Sequence, residues 1–294
     1  MTPKEAYLHA GKIHAEVCKK ARPLIKPGAR LIDITRQIEK WIVDSGASLA
    51  FPVNLQLNNI VHYSSPPNDE TIIKEDDLIK VDVGVHVEGY IADGAFTVTF
   101  DKKYQDMVYF TEKTLMHAIT NLKPGMPISE IGRRLDESLK GSKYKIVRNL
   151  MGHQVQQWDL HSAKSVLVYE VKGNTNTLDP GEAFAIEIFI TDGAGMIKAA
   201  PTTLIFSVKK QQPPIRDAKV KKIVQDIYSR RRTLPFTERY VTEHLEYSKL
   251  DFFNLRKSGA LFEYNMLVEV PGSKIAQFEH VIYVDKNEVI ITTR

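Results

Sequence analysis

The feature that most constrains this chain is that it repeats itself. Lys26-Pro27-Gly28 lies between two helical stretches, and Lys123-Pro124-Gly125 does so again. The helices after the turns are LIDITRQIEKWI and ISEIGRRLDESL, both with amphipathic spacing. A histidine follows each of them, His62 and then His161. Each half then has an acidic turn leading into an apolar strand with one carboxylate. Glu75-Asp76-Asp77 precedes Asp82, and Asp179-Pro180-Gly181-Glu182 precedes Glu187. Chance reproduces a KPG triplet easily, but not the whole order of helix, turn, helix, histidine and strand. The order predicts an internal duplication whose two sets of strands meet about a pseudo-twofold axis.

The rest of the chain reads as mixed α and β structure. Ala6, Ala10, Ile13 and Val17 have helical spacing, and Gly46 fits a C-cap after the helix containing Trp41 and Ile42. Ile79, Val81, Val83, Val85 and Val87 alternate with Lys80, Asp82, Gly84, His86 and Glu88, which predicts a strand turning at Glu88-Gly89. More helices are expected around residues 103–121 and 129–140. After residue 208, VKKIVQDIYSRRR and TERYVTEHLEYSKLDFFNLRKSG read as helical, before KIAQFEHVIYVDKNEVIITTR returns to strands with a turn at Asp285-Lys286-Asn287. The expected organisation is a duplicated core over residues 1–207 and 272–294, carrying a helical insert over residues 208–271.

Composition narrows the chemistry. With 40 basic and 36 acidic residues the net charge is +4, too small for a protein that coats nucleic acid. The single cysteine, Cys18, rules out an internal disulfide and any cysteine-built zinc knuckle. No apolar run approaches the roughly 18 residues of a membrane span, and the N-terminal stretch has no continuous apolar region of a secretory signal. A soluble cytoplasmic protein is expected. Any metal site must be built from Asp, Glu and His.

Four carboxylates occupy positions that suit a core. Glu187 lies in Ala183–Ile190, which is otherwise apolar, and Asp82 lies among valines. Asp93 follows across the expected hairpin, and Glu279 sits in AQFEHVIYV. An isolated buried carboxylate costs several kcal/mol, so each must be paired, protonated or ligated. Taken singly, each reads as a solvent-facing strand residue or a salt bridge. Four in four strand-like segments point instead to convergence on divalent cations. Among the 9 histidines, His9, His14, His117 and His244 fall in helical stretches, and His280 faces away from Glu279. His86 shares a face with Asp82 but lies about 13 Å along the strand. His62, His153 and His161 remain, in loop-like stretches, and imidazole would mark a transition-metal pair.

With these residues in view, the chain resembles the type 2 methionine aminopeptidases of the short archaeal kind. The resemblance rests on AFPVNLQLNN with VHY, KVDVGVHVEGYIAD, RNLMGHQV with LHS, GEAFAIEIF, RTLPF, and AQFEHVIYV with its ITT tail. These occur in family order over nearly the whole chain. The resemblance implies the duplicated "pita-bread" α/β fold with a winged-helix-like insert. It also implies two divalent cations (cobalt, manganese, iron or zinc) held by Asp82, Asp93, His153, Glu187 and Glu279. Asp93 and Glu279 would bridge them. A hydroxide between the cations would attack the first peptide bond, with Glu187 as proton shuttle and His62 and His161 flanking the scissile peptide. Phe51 and Tyr264 would belong to the pocket for the methionine side chain and its neighbour.

The activity implied is removal of the initiator methionine from nascent proteins and peptides with a small second residue. The protein would act as a monomer, with transient ribosome contact at most, no membrane and no specific nucleic acid. The sequence departs from the family pattern in having one residue fewer before His62. Met151 precedes Gly152-His153, Ile188 follows Glu187, and LHS stands around His161. Two alternatives share the scaffold. One is a proline-directed aminopeptidase or dipeptidase. The other is a non-catalytic protein that binds RNA or ribosomes, for which the Arg230-Arg231-Arg232 run is the main sequence argument. Such a short basic run is expected to be a solvated helix end.

Overall fold

The computed structural model describes residues 1–171, 173–210 and 213–294. Helix α1 (Pro3–Ala21) starts from a capping box in which Thr2 and Glu5 each accept from the other's backbone. After the first KPG turn comes α2 (Leu31–Asp44), then short strands β1 (Ser48–Leu49), β2 (Asn54–Leu57) and β3 (Ile60–Val61). The long hairpin β4 (Leu78–Val87) and β5 (Tyr90–Thr99) turns at Glu88-Gly89 as expected. Helices α3 (Gln105–Ile119) and α4 (Ser129–Leu139) flank the second KPG turn, followed by β6 (Lys145–Ile146), β7 (Gly152–Val155), β8 (Ser165–Val166) and β9 (Ala183–Thr191).

The duplication is visible bond for bond at the KPG turns. Gly28 donates to the Ile73 carbonyl at 2.8 Å, and Ile73 donates back to Ala29 at 3.0 Å. Gly125 donates to Leu178 at 2.8 Å, and Leu178 donates back to Met126 at 2.9 Å. Both glycines sit in the left-handed region, with φ of 85° and 81°, where a side chain would be strained.

The remaining elements are β10 (Lys198–Val208), α5 (Ala218–Arg231), α6 (Lys249–Lys257), β11 (Leu261–Val268), β12 (Ile275–Val284) and β13 (Val289–Ile291). In the main sheet β4 pairs with β2 and β5, while β9 pairs with β7 and β12. The halves join where Ala95 of β5 meets Glu279 of β12. Helix α1 packs on β4 and β5, and α3 on β9 and β12, with α2 and α4 behind them. The valines of β4 that alternate with Asp82 are thereby buried with Ile13, Val17 and Ile38. Each such side chain contributes roughly 1.5–3 kcal/mol when fully buried.

The segment between β9 and β12 differs in detail from its expected helical character. Residues 261–268 form a strand because they pair with β10, which begins at Lys198, ahead of the expected boundary. The first half of β10 is mostly exposed and carries Ala-Ala-Pro-Thr-Thr, so no apolar alternation marks it. The ribbon continues onto the core through β3, where Leu267 and Val268 meet Val61 and Ile60. Behind it Val220, Ile223, Val224 and Ile227 of α5 form a cluster with Phe206, Phe236 and Leu255. The arginine run is also different from expectation. Arg230 and Arg232 are exposed, but Arg231 lies four residues beyond Ile227 on the buried stripe and is itself buried.

Candidate metal centre and substrate cleft

Strand pairing places the carboxylates. One row across the sheet reads Asn54, Asp82, Ala95, Glu279, Glu187, each residue paired with the next. Asp93 stands two residues before Ala95 and so shares its face. His153 pairs with Ala185, two residues before Glu187, again on the same face. Alanine at 95 and 185 leaves the centre of this face unfilled, and the polar groups converge there. Ligand atoms of Asp93, His153 and Glu279 lie within 4.8 Å of one another. His153 Nε2 is 3.8 Å from an oxygen of Asp93.

All nine site residues expected from the sequence line one cleft or its floor: Phe51, His62, Asp82, Asp93, His153, His161, Glu187, Tyr264 and Glu279 are joined there by Asn54, Leu160, Ile205 and Pro235. Asp82, Asp93, His153 and Glu279 are buried, whereas Glu187 is partly open to the cleft. His161 stands exposed at the mouth, its ring centroid 4.5 Å from that of His153 and 6.4 Å from that of Tyr264. His62 follows β3 in a left-handed conformation, φ 59°, and its backbone N–H donates to Gln56. Phe51 packs against Gly84, where any Cβ would come within 2.3 Å of its ring. His86 does not reach the cleft and packs on Trp158 instead.

The electrostatics of this floor are those of an uncompensated anionic cluster. Burial raises the pKa of Asp82, of Asp93 and of Glu279, and repulsion among the carboxylates adds to it for the latter two. Glu187 is raised by burial and by Asp82. Burial lowers His153 to about 3 and, with His161 nearby, His62 to about 4, so both imidazoles are neutral. Asp82 Oδ1, Asp93 Oδ1 and His153 Nδ1 are buried without a hydrogen-bond partner. Orphaned buried polar atoms of this kind cost about 1–3 kcal/mol each. A divalent cation satisfies both the charge and the orphaned atoms, and hard oxygens with one imidazole suit a first-row transition metal.

Two amides were not singled out from the sequence. Gln56 donates to Asp82 at 3.4 Å, and Gln277 donates to Glu279 at 3.3 Å. Each holds one oxygen of its carboxylate. Period-2 reading of AQFEHVIYV already puts Gln277 on the face of Glu279. Nothing local marks Gln56, whose role depends on pairing with the distant β4.

The description "Metallopeptidase family M24" matches residues 5–225. The methionine aminopeptidase of Thermococcus kodakarensis is 38% identical over 296 residues, covering 100% of both chains. Among solved structures, a thermophilic Arx1 superposes with a TM-score of 0.81 at 15% identity, covering 98% of this chain and 90% of its own. The methionine aminopeptidase of Thermotoga maritima superposes with a TM-score of 0.71 at 22% identity, covering 100% and 98%. Those two likenesses show a shared architecture, the duplicated pita-bread fold. With a full-length relative, a family match over most of the chain and a buried group able to hold a metal, the chain belongs to the metallopeptidase family M24.

Proposed function

We propose that this chain is a methionyl aminopeptidase that removes the initiator methionine from nascent proteins and peptides with a small second residue. The observation that carries the reading is the row of carboxylates with His153 at the floor of a cleft, inside a chain whose full-length relatives are methionine aminopeptidases. Two divalent cations, drawn from cobalt, manganese, iron or zinc, would be held by Asp82, Asp93, His153, Glu187 and Glu279. When bound, such cations acidify a water and polarise a carbonyl oxygen.

The chain's own residues supply the rest. Glu187, the carboxylate partly open to the cleft, takes a proton from the attacking water and passes it to the leaving amine. His62 and His161, which line the cleft, would donate N–H groups to the scissile peptide as negative charge develops on its oxygen. Neutrality suits His62 to this, since it donates without adding charge beside the cations. Phe51, Leu160, Ile205, Pro235 and Tyr264 give the cleft an apolar lining that suits a polarisable thioether. The protein would work as a cytoplasmic monomer, meeting ribosomes only transiently. Among the described residues, no helix is long and apolar enough to cross a membrane.

The deciding experiment is hydrolysis of Met-Ala-Ser after reconstitution with each of the four metals, with metal content measured. Release of methionine is expected. No activity with any of them, or a preference for Ala-Pro peptides, would overturn the assignment.

A further inference from the structure

Arg231 is a buried cation without a buried anion. It is 6% exposed, and Glu39, the carboxylate whose charge acts on it, is committed to Arg239 through two bonds of 2.8 and 2.9 Å. Its Nη2 donates instead to two backbone carbonyls, Leu49 at 3.1 Å and Pro235 at 2.6 Å. The guanidinium carbon lies 5.0 Å from the Tyr240 ring centroid, and Nε has no partner. A charge buried on such terms costs stability that an apolar residue at the same point of α5 would not. What the apolar residue cannot do is hold two carbonyls together.

Those carbonyls belong to two separate chain segments, each of which supplies a lining residue to the cleft, Phe51 and Pro235. Leu49 pairs with Val85, Ala50 donates to Gly84, and Phe51 then lies on Gly84. Pro235 is fixed from the other side, because Leu234 donates to the Arg231 carbonyl at 2.8 Å and Phe236 exchanges bonds of 2.7 and 2.8 Å with Phe206. Leu234 shares an apolar cluster with Phe51 and Leu160. Phe51 comes from the core and Pro235 from the segment between β10 and β11, and among the described residues no backbone hydrogen bond joins the two stretches.

We infer that Arg231 is a positioning residue for the substrate pocket, clamping the segment that bears Phe51 to the segment that bears Pro235 by binding the Leu49 and Pro235 carbonyls together. Arg231 does not itself line the cleft that holds the candidate ligands, so it acts on binding and leaves the chemistry alone. The inference rests on the aminopeptidase reading for its substrate.

The test uses the metal-loaded protein and its variants Arg231→Met and Arg231→Lys. Kinetics on Met-Ala-Ser would be measured with metal content and thermal stability. Arg231→Met is expected to raise KM about tenfold, the scale of one lost charge-assisted bond, with kcat within about twofold and metal content unchanged. Arg231→Lys, whose Nζ can serve one carbonyl, is expected to fall between. An unchanged KM, a kcat that falls in step with metal content, or a lysine variant as impaired as the methionine one would overturn the proposal. If Arg231→Met does not fold, a wild-type KM in Arg231→Lys would overturn it equally. Should the wild-type protein hydrolyse no methionyl peptide, the aminopeptidase reading fails by itself. Calorimetric titration of L-methionine into wild type and variant then decides, equal affinity counting against Arg231.

Discussion

Glu279 and Glu187 stand directly opposite each other across β12 and β9. Like charges in that relationship destabilise a sheet, and here both are raised in pKa with burial as the first cause. The arrangement is stable only with protons or cations between them.

Metal removal therefore has a pH signature. In the metal-free protein these carboxylates hold protons in the fold that the unfolded chain releases at ordinary carboxylate pKa values. Their contribution is full below that range and is lost as pH rises through the raised values. The melting temperature of the chelated protein should fall between pH 5 and pH 8. At free metal a hundredfold above Kd, binding restores about 2.7 kcal/mol per site. Glu279→Gln should be more stable than wild type at pH 8 without metal and less stable with it. Scanning calorimetry at both pH values checks this; a metal-free protein that gains stability towards pH 8 would refute it.

His153 and His161 are adjacent rings with separate tasks. His153 is buried among the carboxylates, and His161 is exposed at the mouth. His161→Ala should keep its metal and lose kcat/KM by about 10²–10³, the scale of one lost donor to a developing oxyanion. His153→Ala should lose metal as well. Metal analysis beside the kinetic assay separates them, and equal metal loss in both would show the roles misassigned.

The sequence carried the repeat because KPG turns are local, and the fold reproduces them with matching bonds at Ile73 and Leu178. Buried carboxylates were legible for a similar reason, since each breaks an apolar run within a few residues. The β10–β11 ribbon was not, because its exposed first half has no alternation and its pairing spans the whole insert. Gln56 was equally hidden, an ordinary amide until β2 pairs with β4. Arg231 is a different case. Its spacing from Ile227 sets it on the apolar stripe of α5, but a run of three arginines carries no local mark of which one turns inward.

The insert is bound to the core by an ion pair as well as by the ribbon. Arg239, 2% exposed, makes both bonds to Glu39 of α2 and a third, from Nε, to the Ser65 carbonyl at 2.8 Å. Arg239→Met should destabilise the protein by about 3–5 kcal/mol, because it strands a buried carboxylate. Adding Glu39→Leu should recover a large part of that loss. Urea unfolding of the single and double variants gives the comparison, and additive losses would contradict it.

His86 offers a pH dependence on the opposite limb. Its Nδ1 accepts the Gly89 N–H at 3.2 Å, its ring meets Trp158 at 4.8 Å, and burial, then the charge of Arg231, pulls its pKa down to about 4. The unfolded chain takes up the proton near 6.5, so the neutral ring's contribution is full above that value and is lost as pH falls through about 4. The total at stake is on the order of 3 kcal/mol. His86→Asn keeps an acceptor for Gly89 but cannot titrate. The stability of wild type relative to this variant should therefore decline steadily from pH 7 to pH 4, with every other titrating group cancelling in the difference. Denaturant melts of both proteins at a series of pH values measure that gap, and a gap that stays constant would mean His86 does not titrate between the folded and unfolded states.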